Sequence, residues 1–138
     1  MSDFVLDASI ALSWCFADEA TPLTIALLEK LESSTAFVPS LWTLEMGNVL
    51  LCAEKKKRIS YAEIIEFIEI LNSLKISIDY VANQYRLSEI FKLAHSVNLT
   101  TYDAAYLELA LRLGKPLATK DKQLINAAKE LGVHIIKK

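Results

Sequence analysis

Two periods alternate along the chain. Apolar runs of three to five residues stand at Phe4-Val5-Leu6, Ala36-Phe37-Val38, Ile76 to Tyr80, Leu117-Ala118-Thr119 and Val133 to Ile136, and read as strands. Between them apolar residues recur every three or four positions, the spacing of a helix that buries one face. The pattern predicts helices from Ser9 to Phe16, from Pro22 to Leu31 (Leu23, Leu27, Leu28, Leu31), and from a Ser40 cap to Lys57. Ser60-Tyr61-Ala62-Glu63 is a capping box opening the stripe Ile64, Phe67, Ile68, Leu71 and Leu74. A helix over Asn83–Val97 should turn Leu87, Ile90, Phe91 and Ala94 inward. Another follows Leu99-Thr100-Thr101 and runs to Leu113, where Gly114 and then Pro116 stop it. The last opens at Asp121, buries Leu124, Ala128 and Leu131, and ends at Gly132.

Strands separated by helices predict an α/β fold, a parallel sheet of short strands covered on both faces. With no repeat, low-complexity segment or linker, residues 1–138 read as one domain. No apolar run approaches the ~18 residues of a membrane span, and the N-terminus lacks a signal-peptide layout, so a cytoplasmic protein is expected. The apolar fraction is 53%, more than a small domain covers alone, which predicts a homodimer or a permanent partner. A net charge of -2 gives no global sign of a nucleic-acid binder. Locally, Lys55-Lys56-Lys57-Arg58 is a basic run, which as it stands is also what a solvated face looks like. Cys15 and Cys52 lie in apolar helical segments and read as free core thiols.

Asp7, Asp103 and Asp121 share a context: each stands where an extended segment gives way to a helix. In a parallel sheet those points fall at the C-terminal edge of the strands, where open α/β proteins build their sites. Each aspartate alone is equally a good helix cap. Glu45 is different, because it is the only charge on its helix before Glu54, with Asn48 one turn away on the same face. A carboxylate on a mostly buried helix needs a basic partner, a hydrogen-bond network or a metal. Four carboxylates converging on one spot repel one another, and a divalent cation resolves the repulsion. Oxygen donors with no histidine or cysteine pattern suit Mg²⁺ or Mn²⁺ rather than zinc. His95 and His134 read as structural histidines.

An acidic metal pocket beside lysines suits phosphodiester cleavage, the metal turning a water into hydroxide and offsetting phosphate charge. Lys120 and Lys122 bracket Asp121 and would bind the flanking backbone. Ser9 and Thr119 each stand two residues from an acid, placed either to orient it or to cap a helix.

Taken together, VLDAS at 5–9, VPSLWTLEMGNVL at 38–50, LTTYDAAYLELALRLGKPLAT at 99–119 and TKDKQL at 119–124 resemble a PIN domain, specifically a VapC-type toxin of bacterial or archaeal toxin–antitoxin pairs. DxS alone is weak, but the combination in this order is highly specific. The resemblance implies a three-layer α/β/α fold and Mg²⁺- or Mn²⁺-dependent endoribonuclease activity. It implies Asp7, Glu45, Asp103 and Asp121 as the acidic set, Asp7 and Asp103 holding metal most directly. Ser9, Asn48 and Thr119 match its supporting polar positions. It further implies an RNA substrate, for which the local charge at Lys55, Lys56, Lys57, Arg58, Lys120 and Lys122 offers candidate contacts. A homodimer and an antitoxin that blocks the pocket complete the expectation.

Competing folds fit worse. A phosphoacceptor receiver domain would want paired acids after the first strand and an aspartate at the end of a third strand near mid-chain. Glu54-Lys55-Lys56-Lys57, at the end of a helix, occupies that region. A haloacid-type phosphatase would want a second aspartate where Ser9 stands. A non-cleaving binding protein on the same scaffold remains the alternative from another class, and metal-dependent RNA cleavage separates it from the nuclease.

Overall fold

The computed structural model describes residues 3–80 and 83–137, with the backbone alone for 83–85. The most apolar run forms the heart of its sheet. Strand β1 (Phe4–Leu6) is fully buried along its length, as a central parallel strand covered on both faces must be. It lies between β2 (Ala36–Pro39) and β4 (Leu117–Ala118), and β3 (Ile76–Asp79) flanks β2, giving the order β3-β2-β1-β4 with every pairing parallel. The chain leaves β1 toward β2 and β3, then returns to the other side of β1 for β4. The order therefore reverses at β1, and the crevice beyond the ends of β1 and β4 is the switch point where such sheets bind ligands.

Helices α1 (Ala8–Ser13), α2 (Pro22–Lys30), α3 (Leu41–Lys55), α4 (Tyr61–Ser73), α5 (Asn83–Val97), α6 (Thr101–Leu113) and α7 (Lys122–Glu130) complete the α/β/α architecture, with a short 3-10 turn at Ala17–Glu19. Local chemistry sets most of their ends. Thr21 and Thr24 form a reciprocal cap on α2 with Pro22 in its first turn, and Ser60 with Glu63 does the same for α4. Gly114 ends α6 in the left-handed region at φ 65°, which a Cβ would disfavour. Helix α6 packs against β1, β2 and β4 at once, and every residue from Ala104 to Ala110 is buried.

Several expectations are corrected. Leu87 and Phe91 point outward, 69% and 58% exposed, because α5 is rolled to pack Leu93 and Ala94 and to turn Arg86 toward Glu108 of α6. Ile68 is likewise exposed on α4, and Leu74 is only partly buried. Helix α1 stops at Ser13, short of Phe16, and α3 stops at Lys55, where Lys57 takes a positive φ of 59°. Ser40 precedes α3 without a side-chain capping bond. Residues 133–136 make a single parallel bridge, Leu117 to Ile135, in place of a full strand. Both cysteines are free, but Cys52 is exposed and only Cys15 is partly buried. Among the described residues no helix is long and apolar enough to cross a membrane.

Candidate active site

The four acids arrive at the switch point by three routes. Asp7 follows β1 directly and is 7% exposed. Asp121 follows β4 and caps α7, its Oδ1 accepting the N–H groups of Gln123 at 2.9 Å and Leu124 at 3.3 Å. The capping role open to each aspartate in the sequence is thus taken by Asp121, whereas Asp7 makes no side-chain cap to α1. Asp103 comes differently from the sequence expectation. No strand precedes it: α5 runs to Val97, Asn98 turns at φ 55°, and Thr100 caps α6 by accepting the Asp103 N–H at 3.1 Å. Asp103 sits in the first turn of α6, whose N-terminus faces the same crevice. Glu45 projects from α3, which buries only one stripe (Trp42, Met46, Leu50, Ala53) and exposes Leu44 at 72%. The helix is half-buried, in contrast to the mostly buried one expected, and Glu45 stands at the border.

All four acids line one cavity of about 650 Å³, with Ser9, Asn48 and the apolar walls Leu12, Leu41, Leu44, Val49 and Tyr102. Thr119 is buried just beneath. Its hydroxyl donates to Asp7 Oδ2 at 2.7 Å, and the Ser9 hydroxyl donates to the same oxygen at 2.6 Å. Each hydroxyl in turn accepts a backbone N–H from the β4–α7 loop, Thr119 from Asp121 at 3.1 Å and Ser9 from Lys120 at 3.1 Å. Two short relays therefore tie the loop carrying Asp121 to the Asp7 carboxylate. Glu45 Oε1 accepts the Tyr106 hydroxyl at 2.5 Å.

Burial pushes the Asp7, Glu45 and Asp103 carboxyls up from their usual range. The hydroxyls of Ser9 and Thr119 offset part of this at Asp7, and Tyr106 offsets part at Glu45. Mutual repulsion adds to the rise: Asp121 acts on Asp7 and Asp103, and Asp7 acts on Glu45 and Asp103. Among the described residues no lysine or arginine forms an ion pair with any of the four. Uncompensated oxygen donors of this kind fit a hard divalent cation. Among the described residues, however, no three acidic, histidine or cysteine side chains gather closely enough to enclose an ion by themselves, so the donor set leaves several positions of any coordination shell to water or substrate.

The basic candidates lie at differing removes. Lys120 and Lys122 are exposed at the loop carrying Asp121, the Lys120 ammonium 3.5 Å from the Glu19 carbonyl. Lys55, Lys56 and Lys57 are exposed at the far end of α3. Arg58 is engaged, pairing with Asp18 at 2.7 Å and Glu19 at 3.0 Å and covering the Phe16 ring at 3.9 Å. His95 and His134 are exposed and line no part of the acidic cavity. Two groups escaped sequence reasoning. Tyr106 is buried within an apolar helix and reads there as core; its only sequence signal is standing one helical turn after Asp103. Glu108 is buried between Arg86 at 2.8 Å and Arg112 at 2.9 Å, with Arg112 reaching Asp79 at 2.6 Å. Its signal was a charge inside the apolar run of α6.

The PIN domain family model matches residues 4–130. No curated protein matches the chain. Among solved structures the fold is similar to that of PAE2754 from Pyrobaculum aerophilum, at 23% identity and a TM-score of 0.71, covering 97% of this chain and 89% of that one. It is also similar to VapBC2 from Rickettsia felis, solved bound to a DNA fragment from their promoter, at 16% identity and a TM-score of 0.68, covering 99% of this chain and 98% of that one. At these identities the likeness bears on the fold, which agrees with the parallel sheet and its flanking helices. The family match spans nearly the whole chain, and the chain belongs to the PIN domain family, whose members are in general nucleases.

Proposed function

We propose that this protein is a Mg²⁺- or Mn²⁺-dependent endoribonuclease, acting as the toxin of a VapBC-type pair and silenced by an antitoxin that covers the pocket. The observation that carries the reading is the meeting of Asp7, Glu45, Asp103 and Asp121 on one cavity at the switch point of the sheet, with no ion pair to any of them among the described residues. Asp7 and Asp103 would hold the cation, with Glu45 and Asp121 completing the acidic set. A bound cation supplies Lewis-acid polarisation of the phosphate and lowers the pKa of an attacking water.

The chain's own residues prepare that chemistry. Ser9 and Thr119 fix the Asp7 carboxylate by its Oδ2 and so hold its orientation before any ligand arrives. The α7 backbone does the same for Asp121 through Oδ1. Asn48 and Tyr102 form the exposed rim, where a ribose or base would be met. Raised carboxyl pKa values mean that protons compete with the cation, so cleavage should strengthen from mildly acidic to neutral pH. An RNA substrate follows from the VapC resemblance, with Lys120 and Lys122 nearest to bind its backbone. The outward Leu87 and Phe91 support the expected homodimer or antitoxin contact. The fold likeness to VapBC2, solved bound to a DNA fragment from their promoter, supports a cognate antitoxin.

The test is cleavage of total RNA by the purified protein with Mg²⁺ or Mn²⁺ and with EDTA. Cleavage that EDTA stops, and that Asp7→Asn and Asp103→Asn each reduce at least about 100-fold, is expected. Variants as active as the parent would overturn the metal mechanism, and metal-bound protein that binds RNA without cutting it would make this a binding module.

A further inference from the structure

We infer that Tyr106 is a positioning residue, holding the Glu45 carboxylate in the acidic cavity and so joining the acid on α3 to the acid on α6. The inference rests on the reading of the four acids as a metal site. Glu45 comes from a half-exposed helix whose neighbours Leu44 and Val49 face solvent. Its three side-chain torsions would otherwise let the carboxylate leave the cavity for water. Tyr106 is placed to prevent that. Its ring is fully buried, and its hydroxyl donates to Glu45 Oε1 at 2.5 Å, across 61 residues of chain.

The fixed partner in this pair is Tyr106. It stands one helical turn after Asp103 on α6, the helix that packs against three of the strands. Any displacement of α6 therefore carries Asp103 and the anchor of Glu45 together, which keeps the spacing between the two acids. The neutrality of the anchor matters as well. A lysine or arginine at that point would hold Glu45 equally well, but it would neutralise the carboxylate and repel a cation. Phenylalanine would fill the same core volume and leave Glu45 untethered. Tyrosine combines the apolar ring, a donor and no charge.

Titration of the metal-free protein with Mn²⁺, followed by electron paramagnetic resonance, tests the assignment without reference to cleavage. Tyr106→Phe should bind Mn²⁺ about tenfold more weakly than the parent, the scale seen when a group orienting a ligand is removed. In a Glu45→Gln background the same substitution should change Mn²⁺ affinity no further, because the carboxylate it positions is gone. A general packing defect would weaken binding in both backgrounds and would overturn the inference. Equal Mn²⁺ affinity in the parent and Tyr106→Phe would overturn it while leaving the metal site intact. A parent that takes up no Mn²⁺ would overturn the metal reading itself, and this inference with it.

Discussion

The Thr119 hydroxyl meets Asp7 Oδ2 at 2.7 Å although 112 residues separate them, and the bond crosses from the end of β4 to the end of β1. It is buried, and the same hydroxyl accepts the Asp121 N–H at 3.1 Å. A strand-end threonine thereby links two of the four acids. Thr119→Val keeps the shape and removes both bonds. It should cost roughly 1.5–3 kcal/mol of stability, as expected for a hydrogen bond to a charged group, measured by urea denaturation at pH 7. Cleavage should fall about 10- to 100-fold as Asp7 loses its orientation. Thr119→Ser retains the hydroxyl and should keep most of both. A valine variant as stable and active as the parent would show that the bond carries neither load.

Stability without metal should run against pH in a way Asp7 reveals. Burial and repulsion raise the Asp7, Glu45 and Asp103 carboxyls above ordinary values of 3.8 for aspartate and 4.5 for glutamate. The folded protein then holds those protons more tightly than the unfolded chain. Their stabilising effect is complete below the ordinary values and is lost as pH rises through the raised ones. Asp7→Asn removes one such charge. The metal-free variant should match the parent near pH 3, below the ordinary aspartate value, and exceed it by roughly 0.5–2 kcal/mol at pH 7, the gain expected from removing a buried charge repelled by its neighbours. Added Mn²⁺ should stabilise the parent at pH 7 and leave the variant nearly unchanged. A parent more stable than Asp7→Asn at pH 7 in EDTA would contradict the sign.

What the sequence made legible was mainly local. The Ser60–Glu63 capping box, the Pro22 start of α2 and the Gly114 stop of α6 depend on residues within a turn of one another, and the structure has each. The apolar stripe of α5 points to Leu87, Ile90, Phe91 and Ala94 as the inner face, but Leu93 and Val97 complete a second, overlapping face, and the structure buries that one. The choice between them rests on Arg86 reaching Glu108, a contact 22 residues away that no periodicity contains. The acids that line the cavity stood out because carboxylates at helix starts, or alone on an apolar helix, demand explanation. Tyr106 could not, because a tyrosine among alanines and leucines satisfies the expectations of a core, and its partner is 61 residues distant. Asp103 reached the expected place by an unexpected path, since a helix N-terminus can face a crevice without a strand before it.

Glu108 should matter for folding and little for chemistry. It is buried between Arg86 and Arg112, and Arg112 continues to Asp79 at the end of β3. Removing it leaves Arg112 with Asp79, but leaves Arg86, among the described residues, with the looser Glu89 ion pair at 3.6 Å. Glu108→Ala should destabilise by about 3 kcal/mol, the scale of breaking a buried pair by deleting one partner. Urea denaturation measures this. Cleavage per folded molecule should stay near the parental value, because Glu108 does not line the acidic cavity. A large drop in specific activity with unchanged stability would place it in the active site instead.

The basic residues should separate into two behaviours. Lys120 and Lys122 are exposed beside Asp121, and neither forms an ion pair among the described residues. Each is free to meet a phosphate and release a counterion. Measured on RNA with an Asp103→Asn background to prevent cleavage, Lys120→Ala and Lys122→Ala should each weaken binding across sequences. Each should also reduce the slope of log affinity against log salt by about 1. Arg58 stands against the Phe16 ring and between Asp18 and Glu19, so its charge is already matched. Arg58→Ala should lower the thermal midpoint, because it unpins the 3-10 turn from the end of α3, and should leave the salt slope unchanged. A fall in slope on losing Arg58, with none on losing Lys120 or Lys122, would move the RNA path to the far end of α3.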